Sequence, residues 1–186
     1  LFDTLTLSDE DKNRGAMYRA EASRKNLKAQ VTDMESYYYS LEMVIDIQFA
    51  DEFSIPRIAQ LTQKTNQFNL TTHRYSDAEI KQLIESEIYD VIYIKLVDKF
   101  GDSGIVGTCI LQYKGSNAVI DTLLMSCRVL GRSLEDVFLI QALKLAKKQE
   151  CASVIGEYHA TKKNKQVEFF FAQHNFEEID GKPYKQ

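Results

Sequence analysis

The chain has no tryptophan and only 2 prolines, 8 glycines and 3 cysteines in 186 residues. So little proline and glycine excludes a collagenous, low-complexity or linker-dominated polypeptide. Cys109, Cys127 and Cys151 are odd in number and contain no C-x-x-C pair, which excludes a disulfide framework and a zinc site and points to reduced thiols in a cytoplasm. No apolar stretch approaches the roughly 20 residues of a membrane-spanning helix, and no apolar leader opens the chain. An excess of positive charge is missing too. Lys+Arg 23 against Asp+Glu 27 gives a net charge of -4, so the chain as a whole lacks the footprint of a nucleic-acid binder.

What is present, 44% hydrophobic and 27% charged residues, suffices for one soluble domain with its own core. Leu1 to Leu7 resembles the end of an earlier element, so the chain is expected to be a piece of a longer polypeptide. Residues 1–41 are expected to form a helical extension and 42–186 a single α/β domain.

Helical patterning is expected from Ser8 to about Gln30, where Ser8 and Asp11 form a capping-box pattern, and again from Asp33 to Leu41. Met43 to Phe49 alternates as a strand. Ser54 and Pro56 open a helix expected to run to Gln67, and Ser76 with Glu79 opens another to about Glu87. Val91–Phe100 and Ile105–Tyr113 form a predicted hairpin around Gly101-Asp102-Ser103-Gly104, with Asp102 as a turn former. A third strand, Ala118–Ser126, leads into a helix over Ser133–Gln149. A strand at Ala152–His159, a helix at Asn164–His174 with His174 on its surface, and a terminal strand or hairpin within Phe176–Lys185 complete the order. These elements predict a mixed, mainly antiparallel sheet flanked by helices, with one strand-helix-strand crossover after Ser126.

The segment Arg128-Val129-Leu130-Gly131-Arg132-Ser133 sits where a strand ends and a helix begins. Unpaired N–H groups and the positive end of a helix dipole bind phosphate there, and Arg128 and Arg132 would add charge-assisted donors. Ser133 with Asp136 also forms a capping-box pattern, and Glu135 and Asp136 place two carboxylates in the first helical turn. Cys127, a thiol beside Arg128, is a candidate nucleophile as well as a candidate structural cysteine. Asp121, Glu157 and His159 on or beside the later strands are candidate acid–base groups, and either carboxylate could instead pair with Arg128, Arg132 or Arg74. Arg57 to Tyr75 superficially mimics a DNA-binding helix-turn-helix, but it carries few positive charges within an acidic chain.

The R-x-x-G-x-S pattern of Arg128–Ser133 and the element order resemble the GNAT acyltransferases, whose corresponding loop cradles the pyrophosphate of acetyl-coenzyme A. Asn164, followed by Phe171 and by Asn175-Phe176, resembles the GNAT pattern in which an Asn contacts the pantetheine arm and a Tyr seven residues later protonates the thiolate. Phe171 cannot donate that proton. At finer grain, Gln60–Asn69 with Thr71–Tyr75, Asp98–Gly107, Ile120–Thr122 with Ser126–Arg132 and Glu135, and Gly156–Tyr158 with Thr161, Lys163 and Asn164 resemble the C-terminal, GNAT-like half of FkbH-like proteins. That family often has Tyr where Phe171 stands, Gly where Asn175 stands and Arg where His73 stands.

The resemblance implies a GNAT-like fold and a phosphopantetheine thioester, on coenzyme A or an acyl carrier protein, bound between the strands ending at Cys127 and His159. Arg128, Val129, Leu130, Gly131, Arg132, Ser133 and Asn164 would hold it, and no metal is involved. It further implies an N-terminal haloacid-dehalogenase-like phosphatase domain in the same polypeptide and a glyceryl or similar small acyl unit. Asn66, Gln67, Asn69, Thr71, Thr72 and Arg74 would border the acceptor site, unless these side chains instead cap helix ends and tie down a long connection. The rival reading is a GNAT-shaped module that docks the phosphatase domain or a carrier protein, or forms a homodimer, without turnover. Neither reading involves a membrane.

Overall fold

A computed structural model describes the backbone of residues 9–179 and 184–185 and the side chains of 15–179. Two compact units emerge from the contacts: one within Leu1–Ile45 together with Leu96–Gly104, the other Asp46–Lys95 with Ile105–Gln186.

In the first unit, α1 (Asp9–Gln30) and α2 (Met34–Leu41) follow the predicted helices. Ser8 and the side chain of Asp11 lie outside the described residues. Asp33 caps α2 by accepting from the Ser36 N–H at 2.8 Å. The buried Arg24 side chain grips Asp98 through Nε at 2.6 Å and Nη2 at 2.8 Å, a bidentate pair that also raises the Arg24 pKa.

The second unit holds the sheet that positions the site. Its elements, with residues 44–45, 96–98 and 101–104 of β1, β3 and β4 belonging to the first unit, are β1 (Val44–Phe49), α3 (Ile55–Lys64), β2 (Phe68–Asn69), α4 (Asp77–Ile84), β3 (Tyr89–Asp98), β4 (Gly101–Lys114), β5 (Asn117–Met125), α5 (Leu134–Lys148), β6 (Ser153–Gly156), α6 (Phe170–Gln173), β7 (Glu177–Glu178) and β8 (Tyr184–Lys185). The strand order is β1-β3-β4-β5-β6-β8-β7, with β2 off this path against β5. β4 and β5 are antiparallel, and β5 and β6 are the parallel pair that the α5 crossover requires. Ile58 and Ala59 of α3 and Ile80 of α4 bury against Val91, Tyr93 and Ile110. That contact fixes α3 over the sheet beside the end of β5.

Several boundaries differ from the sequence reading. α3 stops at Lys64 because Arg74 reaches back and donates from Nη1 to the carbonyls of Thr62 and Thr65, ending the helix with tertiary partners. The β3–β4 turn falls on Lys99 and Phe100, and Asp102 lies in β4, where it accepts from the Gly104 N–H at 2.6 Å. The expected Ser133–Asp136 capping box does not form: Ser133 is left-handed (φ 55°) and its side chain makes no cap bond. The helix expected over Asn164–His174 is broken into a 3-10 turn at Lys165–Val167 and the four-residue α6. Of the Phe169–Phe171 run, Phe170 and Phe171 are buried while Phe169 is exposed.

β5 carries a bulge. Its register against β4 jumps from Ile110↔Thr122 to Leu111↔Ile120, leaving Asp121 as the unpaired extra residue. Bulges re-aim side chains, and this one lets Asp121 and Thr122 meet, with Thr122 Oγ1 donating to Asp121 Oδ2 at 2.9 Å. Gly156 of β6 is required by a close approach: a Cβ there would lie 2.4 Å from the buried Phe171 ring. Gly156→Ala is expected to lower stability by about 1–3 kcal/mol through overpacking, read as a reduced urea midpoint at unchanged slope.

Candidate functional site at the parting of two strands

β6 stays beside β5 only from Asn117↔Ser153 to Ile120↔Gly156. Beyond Ile120 the edge of β5 would be left with unpaired peptide groups. Phe68 and Asn69 fill that place, pairing with Met125 and Leu124, and the Leu70 N–H donates to the Leu123 carbonyl at 3.2 Å. On the other side of this short strand the His159 N–H donates to the Leu70 carbonyl at 2.8 Å, and Asn164 Nδ2 donates to the Asn69 carbonyl at 2.9 Å. Phe68 anchors it edge-on against Phe170 at 5.2 Å. The gap between the strands leading to Cys127 and His159, expected to receive a thioester arm, is thus filled by the chain itself.

Asn164 is the knot of this arrangement. It is fully buried, donates to the carbonyls of Asn69 and His159, and accepts from Thr161 N–H and Oγ1 at 2.7 and 2.9 Å. Among the expected acceptor-site residues, Asn69 and Thr71 are buried as well: Asn69 donates to Thr65 O and accepts from Thr72 N–H, and Thr71 Oγ1 donates to the Asp121 carbonyl at 2.7 Å. Thr72 is left-handed, with φ 59°. Arg74 caps α3 and also donates to Asn66 Oδ1 at 2.7 Å. These side chains do tie down a long connection. The Asn175 backbone is left-handed at φ 60°, a conformation that glycine favours and asparagine tolerates.

On one side of the filling strand lies a group of titratable side chains. Tyr75 donates to Asp121 Oδ2 at 2.6 Å, and His73 Nδ1 lies 3.2 Å from Asp121 Oδ1. The Tyr75 pKa is raised by burial first and then by the Asp121 carboxylate it serves. His159, exposed at the strand end, has Nδ1 3.0 Å from the Thr71 carbonyl and Nε2 3.1 Å from Glu157 Oε2, so both its ring nitrogens are committed. The His73 and His159 rings stand edge-on at 5.5 Å. Asp121, Glu157 and His159 thus share one locality. Among the described residues neither carboxylate pairs with Arg74, Arg128 or Arg132: Asp121 accepts from Tyr75 and Thr122 and lies near His73 Nδ1 without the geometry of a hydrogen bond, and Glu157 lies beside His159 Nε2. His73 and Tyr75 are the partners that sequence reasoning missed, and no spacing between residues so far apart could have signalled them. No group of His, Cys, Asp and Glu among the described residues could hold a metal ion.

On the other side opens a cleft of about 620 Å³ at the end of β5. Asn66, Gln67, Ser126, Cys127 and Arg128 line it, together with Arg57, Lys64, Lys162 and Lys163, which the sequence did not assign to a site. Cys127 is exposed there and so is not a buried structural cysteine. The remaining loop residues lie differently. Val129 is buried, Gly131 is exposed and left-handed at φ 75°, and Arg132 is buried with Nη2 donating to the Arg128 carbonyl at 3.0 Å. At the start of α5, Glu135 Oε2 is buried and accepts no hydrogen bond among the described residues, and burial followed by the Asp136 charge raises the Glu135 pKa. His174 bridges α6 to α5, Nε2 lying 2.9 Å from Asp136 Oδ1 and Nδ1 2.7 Å from the Phe170 carbonyl. It is therefore a tertiary contact and not merely a surface helix residue.

The fold recurs in solved structures. The Escherichia coli ribosomal-protein-S18-alanine N-acetyltransferase aligns with a TM-score of 0.57 at 14% identity, covering 76% of this chain and 90% of that one. An acetyltransferase of the GNAT family from Staphylococcus aureus gives 0.58 at 10% identity, with 77% and 98% covered. The fold is that of the GNAT acetyltransferases. The PaiA N-acetyltransferase of Thermoplasma acidophilum, solved in complex with coenzyme A, gives 0.52 at 16% identity with 77% and 98% covered. No protein-family model and no curated protein matches the sequence. Among the described residues no helix is long and apolar enough to cross a membrane.

Two measurements check this geometry. Asn164→Ala is expected to cost on the order of 2–3 kcal/mol, because it strands buried partners on both sides of the filling strand, read as a lowered melting midpoint. Alkylation by iodoacetamide under native conditions is expected at Cys127 first. Cys109, whose thiol burial pushes far up, should remain unmodified by mass spectrometry until the protein unfolds.

Proposed function

We propose that this domain is an acyltransferase-type domain that binds a phosphopantetheine thioester, carried by coenzyme A or an acyl carrier protein, at the end of β5. The observation that carries this reading is the cleft at the end of β5: it reaches Cys127 and Arg128 and is lined by five cationic side chains, matching the charge of a phosphate-bearing donor. The GNAT fold supports it, as does the neighbour of the same fold solved with coenzyme A. The phosphate end of such a donor fits the residues present. Its arm does not fit between β5 and β6 while Phe68–Leu70 are seated there. The Asp121 cluster supplies the acid–base chemistry, with Asp121 orienting Tyr75 and His73 close by, beside a hydroxyl or amine acceptor. In this reading the domain is the C-terminal half of an FkbH-like protein that handles a glyceryl or similar small acyl unit beside a phosphatase domain.

The filled gap, together with Phe171 where the related pattern has Tyr, favours a second reading: a GNAT-shaped docking module, for a carrier protein or a phosphatase domain, without turnover. Acyl transfer from a panel of acyl-coenzyme A and acyl-carrier donors separates the two. The leading reading expects turnover that falls at least about 100-fold in Asp121→Asn. Absence of binding to both coenzyme A and a phosphopantetheinylated carrier protein by calorimetry would overturn it, whereas binding without turnover selects the docking module.

A further inference from the structure

A histidine secures each end of the filling strand, and the two use the same chemistry. At the Leu70 end, His159 donates from its backbone N–H to the Leu70 carbonyl, and its ring spans two further groups. Nδ1 lies 3.0 Å from the carbonyl of the buried Thr71, and Nε2 lies 3.1 Å from Glu157 Oε2. At the other end Phe68 rests edge-on against the buried Phe170 at 5.2 Å. Phe170 is fixed in turn by His174, whose ring packs on the phenyl ring at 4.5 Å. His174 Nδ1 lies 2.7 Å from the Phe170 carbonyl, and Nε2 lies 2.9 Å from Asp136 Oδ1 on α5.

In each bridge both partners are acceptors. A backbone carbonyl and a carboxylate have no hydrogen to give, so both ring nitrogens must donate, and a neutral imidazole carries a single N–H. Each bridge is therefore complete only while it holds one proton more than a neutral imidazole beside a carboxylate. Without that proton the ring either drops the carbonyl or turns a lone pair toward the carboxylate. The titratable groups facing His159 are Glu157 and, from the connection, His73, edge-on at 5.5 Å with Asp121 Oδ1 lying 3.2 Å from its Nδ1. Those facing His174 are Asp136 and Glu135, both on α5.

We propose that His159 and His174 form a proton-dependent clasp on the filling strand Phe68–Leu70. With both rings protonated the strand is held at both ends. An imidazole ordinarily changes charge between about pH 5 and 8, and because the protonated rings make the bonds, the hold is full at the low end of that window and weakens toward the high end. The loosening is local, since β4 and β5 are joined without either histidine. That a loosened strand would then open the gap to the arm of a donor rests on the function proposed above; the clasp itself does not.

Amide hydrogen exchange of the full chain without ligand, read by NMR near about pH 5.5 and about pH 8 and corrected for the intrinsic pH dependence of exchange, tests this. Protection of the Leu70 and His159 amides is expected to fall about fivefold or more between the two, while that of Cys109 and Ile110 in β4 stays within about twofold. Glu157→Gln combined with Asp136→Asn gives each ring a side-chain amide that donates to its unprotonated nitrogen, so the bridges no longer need the extra proton. Both carboxylates are partly exposed, and in this variant the pH dependence at Leu70 and His159 is expected to shrink to within about twofold. Should that variant lose its fold by circular dichroism, the ring 15N shifts of the unaltered protein decide: both rings doubly protonated near about pH 5.5 support the clasp, and neutral rings there overturn it. Protection at Leu70 and His159 that does not change with pH would overturn the proposal as well. The same holds for a loss that persists in the folded double variant or that runs equally through β4.

Discussion

Once β6 departs from β5 at Ile120, the peptide groups of Asp121 to Met125 need partners on that edge, and the rest of the second unit is arranged around supplying them. The partners come from Phe68, Asn69 and Leu70, and a two-residue strand is too short to hold by its ladder alone. It is held instead by side chains: Phe68 on Phe170, Asn69 between Thr65 and Thr72, and Asn164 reaching from beyond β6. Asn69 and Asn164 are buried polar residues that a core would ordinarily exclude, and each has its amide satisfied: Asn69 by Thr65 and Thr72 in the flanking connection, Asn164 on the open edge of the filling strand.

This filling divides the chemistry of the domain. The Asp121, His73 and Tyr75 group lies on one side, with Glu157 and His159 beside it, and the cationic cleft lies on the other. The same connection serves both sides: Asn66 and Gln67 line the cleft, Asn69 and Thr71 are sealed within, and His73 and Tyr75 address Asp121. The bulge at Asp121 makes the second half of that arrangement workable, because it releases one residue of β5 from the alternation that would otherwise point its side chain away from Thr122.

The fold class was legible because periodicity and capping are local. The capping box of Ser76 and Glu79 forms as its spacing predicts, and the strands from Val44 to Met125 fall close to their apolar runs. Local rules failed where a distant partner decided. Arg74, not a local cap, ends α3; Phe68–Asn69 is a strand only because β5 has a vacant edge; and Ser133 does not cap α5 because the Gly131–Ser133 turn leaves it left-handed. Of the candidate site, Asp121, Glu157 and His159 were found by residue type, and Arg128 and Cys127 by their place after a strand. Their partners were not. Arg57, Lys64, Lys162 and Lys163 look like ordinary solvated charges in the sequence, and only their convergence from both sides of the β5 end makes them a candidate site.

What the sequence alone determined is therefore the longer helices and strands, their order and the crossover after Ser126, since hydrophobic period, turn residues and chain direction carry that information locally. Only the tertiary structure decided where β5 and β6 part, that Phe68–Leu70 fill the opening, and that positive charge gathers on one side of it while paired carboxylates and imidazoles gather on the other. The physical reason is that hydrogen-bond completion of a strand edge and the sign of a cleft are sums over residues far apart in the chain, and no local pattern records such sums.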